Sequence, residues 1–314
     1  MTRMPKLPGF SLRQLWYFVA VAEEGAISAA AERLHVSQSA VSLALTELER
    51  ALKVQLCVRR KAHGITLTPS GSQALRQART LLREAAALEM DGLGDAEELT
   101  GQLALGCYLT LGPTVLPRLI HGFGLLHPHV AVEFEEGAQD ALQRLLLAGE
   151  LDLAVLYDMD VLPEIAHVEL DRRRPHVLLS AGHRLAGEPA VALHDLAEEP
   201  MVLLDAPPSS HHTLRLCEEA GVKPLVRYRT KNFETARALV GRGLGYAILI
   251  QRPADARTYE GLPVVSKDIV ELAGYHVAVL LGWARRLQLT QRSQAFVQFC
   301  RETFADQGSS NFLR

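Results

Sequence analysis

Residues 28–52, SAAAERLHVSQSAVSLALTELERAL, decide how the rest of the chain is read. Ala29, Ala30 and Ala31 make the first half a slim helix with Leu34 as its apolar anchor, and His35 and Val36 interrupt it. Ser37 suits the N-cap of a second helix, since its hydroxyl accepts an amide hydrogen left over in the first turn. In that helix Val41, Leu45, Leu48 and Leu52 recur at spacings of three and four, which places them on one buried face. Its first turns carry Gln38, Ser39 and Ser42 on the other side, short or amide-bearing and uncharged. Such a pair is either an ordinary helical hairpin or a helix-turn-helix whose second helix enters a DNA major groove.

The residues after this pair favour the second reading. Val54–Val58 is a β-type run, Arg59, Arg60 and Lys61 come next, and Ile65-Thr66-Leu67 lies beyond a turn at His63-Gly64. Two short strands around a glycine turn, with cations at their base, make a wing able to lie along phosphates. The run LRQLWYFVAVAEEGAISAAAERLHVSQSAVSLALTELERALKVQL, with this wing and LTPSG after it, closely resembles the amino-terminal domain of LysR-type transcriptional regulators over residues 11–71. Leu43 departs from the family pattern, standing where many members carry a basic residue, and Cys57 stands where they usually carry Phe. The resemblance implies a winged helix-turn-helix over residues 11–68, with the helix-turn-helix at about 28–47. Ser37, Gln38, Ser39, Ser42, Arg59 and Arg60 would then meet double-stranded operator DNA.

Charge divides the same way. Up to residue 90 there are 12 Lys and Arg against 7 Asp and Glu, a balance of +5; the remaining 21 and 29 give −8, recovering the whole-chain −3. A basic head on an acidic body fits a polyanion reader joined to something kept off the polyanion. The length of 314 residues suggests about two domains. No apolar run is long enough to span a membrane and no secretion signal is read at the start, so a cytoplasmic protein is expected. Cys57, Cys107, Cys217 and Cys300 stand singly, without pairing or metal spacing.

Ser11 with Gln14 forms a capping box for a first helix to Glu24, with Leu15, Phe18, Val19 and Ala22 packing on the helix-turn-helix. After the wing, Thr68 caps a long helix with Pro69 at its first position. Its stripe of Leu75, Ala78, Leu82 and Ala85 is expected to seal against a partner helix, the alternative being its own body. The LysR resemblance adds a linker and dimer seam over residues 69–97, and a tetramer built as a pair of dimers. Asp91-Gly92-Leu93-Gly94 marks the boundary.

From Thr100 strands and helices alternate in two sets, implying an α/β body of parallel sheets in two lobes with a cleft between them. The body (100–306) takes its first lobe from about 100–170 and 276–306 and its second from about 171–275. LPRLIHGFGLLHPHVAVEFEEG, LLAGELDLAVLYD and YRTKNFETARALVGRGLGYAIL resemble the LysR effector-binding domain, itself similar to periplasmic solute-binding proteins. Ligands in such folds sit at strand carboxyl ends and helix amino-termini. That rule points to Tyr108, Leu109 and Thr110, to Gly137 (with Ala138), to Tyr157 and Asp158, and to Asp205 and Ser209; Phe233, Glu234 and Tyr246 complete the set. In LysR-like proteins matching positions line the pocket of a small organic effector, Thr110 being the firmest transfer; a cap or core role is the alternative at each.

Enzyme chemistry finds little support. Gly241-Arg-Gly243-Leu-Gly245 lies between a helix and a strand, whereas a phosphate-cradling loop follows a strand and opens a helix. HExxH, GxSxG and P-loop patterns are missing, and His211-His212, read as part of a Ser-flanked loop, has no third ligand nearby in sequence. No cofactor or metal is expected. The residues thus suggest a ligand-switched DNA-binding regulator. An enzyme on the α/β body, or a DNA-binding protein whose body serves only assembly, remain the other two classes.

Overall fold

The computed structural model describes residues 8–60, 64–91 and 99–310. The chain divides into two compact units, one built on the head and the long helix after it, the other on the body from Gln102.

In the head, α1 (Leu12–Glu24) starts at Ser11, whose hydroxyl accepts from Gln14 N while the Gln14 side chain accepts from Ser11 N at 2.8 Å. α2 (Ile27–Arg33) and α3 (Gln38–Leu52) come after it, with His35 in the left-handed turn at φ 53° and Ser37 Oγ accepting from Ala40 N at 3.2 Å. Ala30 and Ala31 are buried with Val41, Leu45 and Leu48, because methyl side chains let α2 lie close on its neighbours. The buried face of α1 is Leu15, Phe18 and Val21, whereas Val19 and Ala22 are half-buried.

β1 (Cys57–Arg60) pairs antiparallel with β2 (Gly64–Leu67), Cys57 opposite Leu67 and Arg60 opposite Gly64. The strand starts at Cys57, later than the apolar run suggests. Glu49 Oε1 accepts from Leu56 N at 2.7 Å and Cys57 N at 3.0 Å, so the approach to the wing is a connector held by α3. Arg59 and Arg60 therefore sit towards the tip of the hairpin rather than at its base, and Lys61 and His63 lie outside the described residues.

α4 (Pro69–Asp91) is capped by Thr68, whose Oγ1 accepts from Gly71 N at 2.9 Å. A Cβ on Gly71 would stand 2.0 Å from the Leu56 carbonyl oxygen, so only glycine lets the helix start this close to the wing. The stripe expected to face a partner helix behaves otherwise. Ala78 is buried and Leu75 and Leu82 pack against the head's own core, because α4 lies along α1. Leu81, on another side, is 42% exposed. The break expected at Gly92–Gly94 and the linker's end at 97 lie outside the described residues.

The body's first lobe contains β3 (Gly101–Tyr108), β4 (Val130–Gly137), β5 (Leu153–Tyr157), β6 (Ile165–Arg173) and β13 (Val277–Ala284), in the order β4-β3-β5-β13-β6, with α5 (Gly112–Leu126), α6 (Gln139–Ala148) and α9 (Gln291–Ser310). The second contains β7 (His176–Ser180), β8 (Ala190–Val191), β11 (Ala247–Leu249) and β12 (Val264–Ile269), ordered β11-β7-β12-β8, and the parallel pair β9 (Pro200–Leu204) and β10 (Leu225–Thr230), with α7 (Ser209–Glu219) and α8 (Phe233–Gly241). These sheets are mixed, not parallel throughout: β13 runs antiparallel to β5 and β6, and β7 antiparallel to β11 and β12.

β6 is a sheet edge whose alternate residues are polar and solvent-facing, a pattern that edges use against aggregation and that resembles a loop. It extends the first lobe to Arg173. The chain crosses between lobes after Arg173 and again before Val277, where Arg174 Nε donates to His276 Nε2 at 3.0 Å. The Gly241–Gly245 run is the expected helix stop and turn. Gly245 sits at φ 151°, where a Cβ would stand 2.1 Å from the Pro200 carbonyl oxygen.

Candidate functional site

The head presents α3. Ser37 is committed as the N-cap and its Oγ lies 3.0 Å from Ser39 Oγ; Gln38 and Ser39 are exposed and Ser42 is half-buried. Of these, Gln38 carries an exposed side-chain amide, which both donates and accepts. Leu43, further along the exposed side, is 59% exposed. Arg59 and Arg60 pair in register with Ile65 and Gly64, and their side chains lie outside the described residues.

Within the body, side chains from both lobes converge on a cavity of about 10 Å³, lined by Thr110, Tyr157, Ser209, Thr213, Phe233 and Gln251 among others. That is the room of a single water. The walls meet through hydrogen bonds. Tyr108 Oη donates to the Ala206 carbonyl at 2.7 Å and lies 3.1 Å from Ser209 Oγ. Gln251 Nε2 donates to Tyr157 Oη at 2.7 Å, while its Oε1 accepts from Thr114 Oγ1 at 3.2 Å and from Arg173 Nη1. Donors on one side and an acceptor on the other fix the orientation of this amide.

Burial raises the pKa of Tyr108 and of Tyr157, so both phenols keep their protons. Tyr157, accepting from Gln251, still has its own O–H to give. Thr110 is buried with its hydroxyl beside the Tyr157 phenol, a loose contact that falls short of a well-aligned hydrogen bond. No lining residue of this cavity is charged; Arg173 stands behind Gln251 and holds Asp171 at 3.0 Å.

Of the residues expected at an effector site, Tyr108, Thr110, Tyr157, Ser209 and Phe233 come together here. The others do not. Leu109 packs into an apolar cluster and donates its amide to Gly137 O at 3.1 Å, so Gly137 secures the end of β4. Asp158 is exposed, and Asp205 lies 3.7 Å from Arg229. Glu234 is bound at 2.7 Å to the buried Arg237 and accepts from Tyr259 N at 2.6 Å, which makes it a structural pair. Tyr246 is wholly buried in the core of the second lobe.

The sequence reading missed Leu204, Thr213 and the run 248–251. Gln251 was recoverable, since it comes two residues after β11 ends at Leu249 and so lies at the carboxyl end of a strand. Thr213 was not, because the polar SSHHT segment resembles a loop whereas α7 begins at Ser209. That shift also moves His211 and His212 onto α7, His211 exposed and His212 buried with Nε2 2.8 Å from Tyr275 Oη. Burial brings the His212 pKa down to about 4. All four cysteines are buried; burial pushes Cys217 up to about 11 and raises Cys107 and Cys300 further. Among the described residues no cluster suits a metal ion, and no helix is long and apolar enough to cross a membrane.

Known proteins share both units. The model for the bacterial regulatory helix-turn-helix protein, lysR family, matches residues 12–72, and that for the LysR substrate binding domain matches residues 96–305. The C-terminal domain of a probable LysR family transcriptional regulator from Rhodococcus sp. RHA1 is 51% identical, covering 64% of this chain and 98% of that one, with a TM-score of 0.63. HinK, a LysR family transcriptional regulator from Pseudomonas aeruginosa, is 37% identical over 94% of this chain and 99% of its own, with a TM-score of 0.63. A probable hydrogen peroxide-inducible genes activator of Mycobacterium leprae is 33% identical over 76% of each chain. With a helix-turn-helix head and a substrate-binding α/β body each matched along nearly its whole length, this chain belongs to the LysR family of transcriptional regulators.

Proposed function

We propose that this regulator reads double-stranded operator DNA with the leading face of α3 and the wing, and is switched by a small organic effector bound between the two lobes of the body. The observation that carries the second half is the set of hydrogen bonds meeting at Gln251, beside the buried hydroxyls of Thr110 and Tyr157, which lie next to each other at the cavity. A cavity of about 10 Å³ admits no organic molecule, so entry requires the lobes to part and closure re-forms around the ligand. The uncharged lining and the O–H that the Thr110–Tyr157 pair has left to give favour an effector with oxygen acceptors. Such a ligand shifts the hinge only by its differential affinity for one lobe angle. Coupling of about 1–3 kcal/mol would then change effector and operator affinity by the same factor.

The test is an operator titration with the full chain, with and without small organic acids, amino acids and aromatics. Thr110→Val should keep its effector-free affinity and lose the effector shift; a wild-type response in that variant would place the effector elsewhere. Gln38→Ala should cost about 1–3 kcal/mol at the operator and little on random DNA.

The family context supports a cytoplasmic homodimer, paired into a tetramer, with the outward side of α4 at Leu81 as the candidate seam. Leu81→Asp should lower the sedimenting mass, whereas a charge at Leu75 or Leu82 would damage the head itself. Peroxide sensing, which the names of several relatives raise, needs an accessible thiol of low pKa. The buried thiols of Cys107, Cys217 and Cys300 run the other way, which favours a bound effector. Turnover of any metabolite by the body would favour an enzyme instead.

A further inference from the structure

Val41, Ala44, Leu45 and Leu48 are the buried residues of α3, and at 3.6 residues per turn the direction opposite them falls on Ser39, Leu43 and Thr46, with Arg50 two turns beyond Leu43. Leu43 is the apolar centre of that outer face, 59% exposed. Thr46 donates its hydroxyl to the Ser42 carbonyl at 3.0 Å, and Glu47 accepts from Gln14 Nε2 at 2.8 Å, so neither leaves its strongest hydrogen-bonding group idle beside Leu43. A single exposed leucine is ordinary on a protein surface. Here it occupies the outer row of a helix-turn-helix, the row that meets base edges, one turn on from Ser39.

We propose that Leu43 is a specificity residue, packing on the C5 methyl group of a thymine in the operator's major groove. The inference rests on the DNA-reading role of α3. An aliphatic side chain neither donates nor accepts. Base pairs present N7 and O6 of guanine, N4 of cytosine, N7 and N6 of adenine, and O4 and the methyl of thymine in that groove; only the methyl is apolar. Leucine against any other group would strip water from a polar edge and return nothing, so it selects thymine both by contact and by penalising the alternatives. A basic side chain at this position would instead favour guanine or a phosphate, so the substitution by leucine changes what the helix reads.

The experiment selects an operator from random duplexes with the full chain, then replaces each thymine in turn by deoxyuridine, which removes only the methyl. One thymine per half-site should lose about four-fold in affinity on replacement, the factor for burying one methyl-sized group. Leu43→Ala should bind the thymine and deoxyuridine duplexes equally, with an unchanged melting temperature. Leu43→Met, which keeps the apolar contact, should retain the preference. A flat deoxyuridine scan, or the same loss in Leu43→Ala as in wild type, overturns the role of Leu43 while operator binding, and with it the DNA-reading role of α3, stands. Failure to select any sequence overturns both.

Discussion

The head and the body place the residues proposed to do their work in opposite ways. In the head, one helix carries both jobs: Val41, Leu45 and Leu48 face inward, Gln38, Ser39 and Leu43 outward. In the body, Thr110, Tyr157, Ser209 and Gln251 come from distant segments and all are buried. Recognition and stability can therefore be altered separately in the head. In the body the hydrogen bonds that hold the lobes together also line the cavity, and most changes there should move both.

The largest expected effect tests the head. Leu48→Ala empties a fully buried site and should cost about 2–5 kcal/mol. Leu43→Ala, five residues earlier on the exposed face, should stay within about 0.5 kcal/mol. Denaturant melts of both variants check this, and similar losses would mean that the two faces are not separable. Acid should then distinguish the units. The His212 pKa is about 4 in the folded body against about 6.5 when unfolded, so the unfolded chain protonates first as pH falls. Its contribution is complete above about pH 6.5 and is lost towards pH 4, by roughly 3 kcal/mol. His176, lowered to about 3 by burial, acts in the same direction. In the head, His35 is exposed. Melts from pH 7 to 4.5 should show the body falling further than the head, with a shallower fall in His212→Phe; parallel shifts in both units would defeat the assignment.

The same contrast explains what was legible in the sequence. The head's cap, turn and buried stripe are local, so Ser37, His35 and the run Val41–Leu48 announced α3 and its outer face directly. The partner of the α4 stripe was not legible, since periodicity gives a buried face without saying what buries it. In the body the rule of strand ends and helix starts named Thr110, Tyr157, Ser209 and Phe233, which line one cavity. It failed for Glu234, whose pairing with Arg237 is set by tertiary packing, and for Tyr246, buried because the glycine turn brings it against Pro200, whose carbonyl accepts its amide.

Gln251 tests the union of stability and function in the body. Gln251→Leu would take a partner from Tyr157 and from Arg173, while Thr114 keeps the Leu111 carbonyl, and should cost about 1–3 kcal/mol. The same variant should shift the effector midpoint, because the lobes would part more easily. Thr110→Val sharpens the point as the exception, since it removes one loose contact to Tyr157, which keeps Gln251 as a partner, and should leave stability near wild type while the response is lost. Equal stability losses in the two variants would remove the distinction between a latch residue and a ligand-reading one.

The smallest effect is expected at the wing. Arg59 and Arg60 lie on a two-stranded hairpin held to the head through Glu49 and Thr68, so neither change should disturb the core. Contacts to phosphate carry no sequence information, and each arginine that neutralises one phosphate should contribute about one unit to the slope of log affinity against log salt. Arg59→Ala or Arg60→Ala should therefore weaken operator and random DNA alike, with stability within about 0.5 kcal/mol of wild type. Filter-binding or anisotropy titrations at several salt concentrations read the slope directly. A loss confined to the operator would make the wing a second reader of bases, and an unchanged slope would leave recognition to α3 alone.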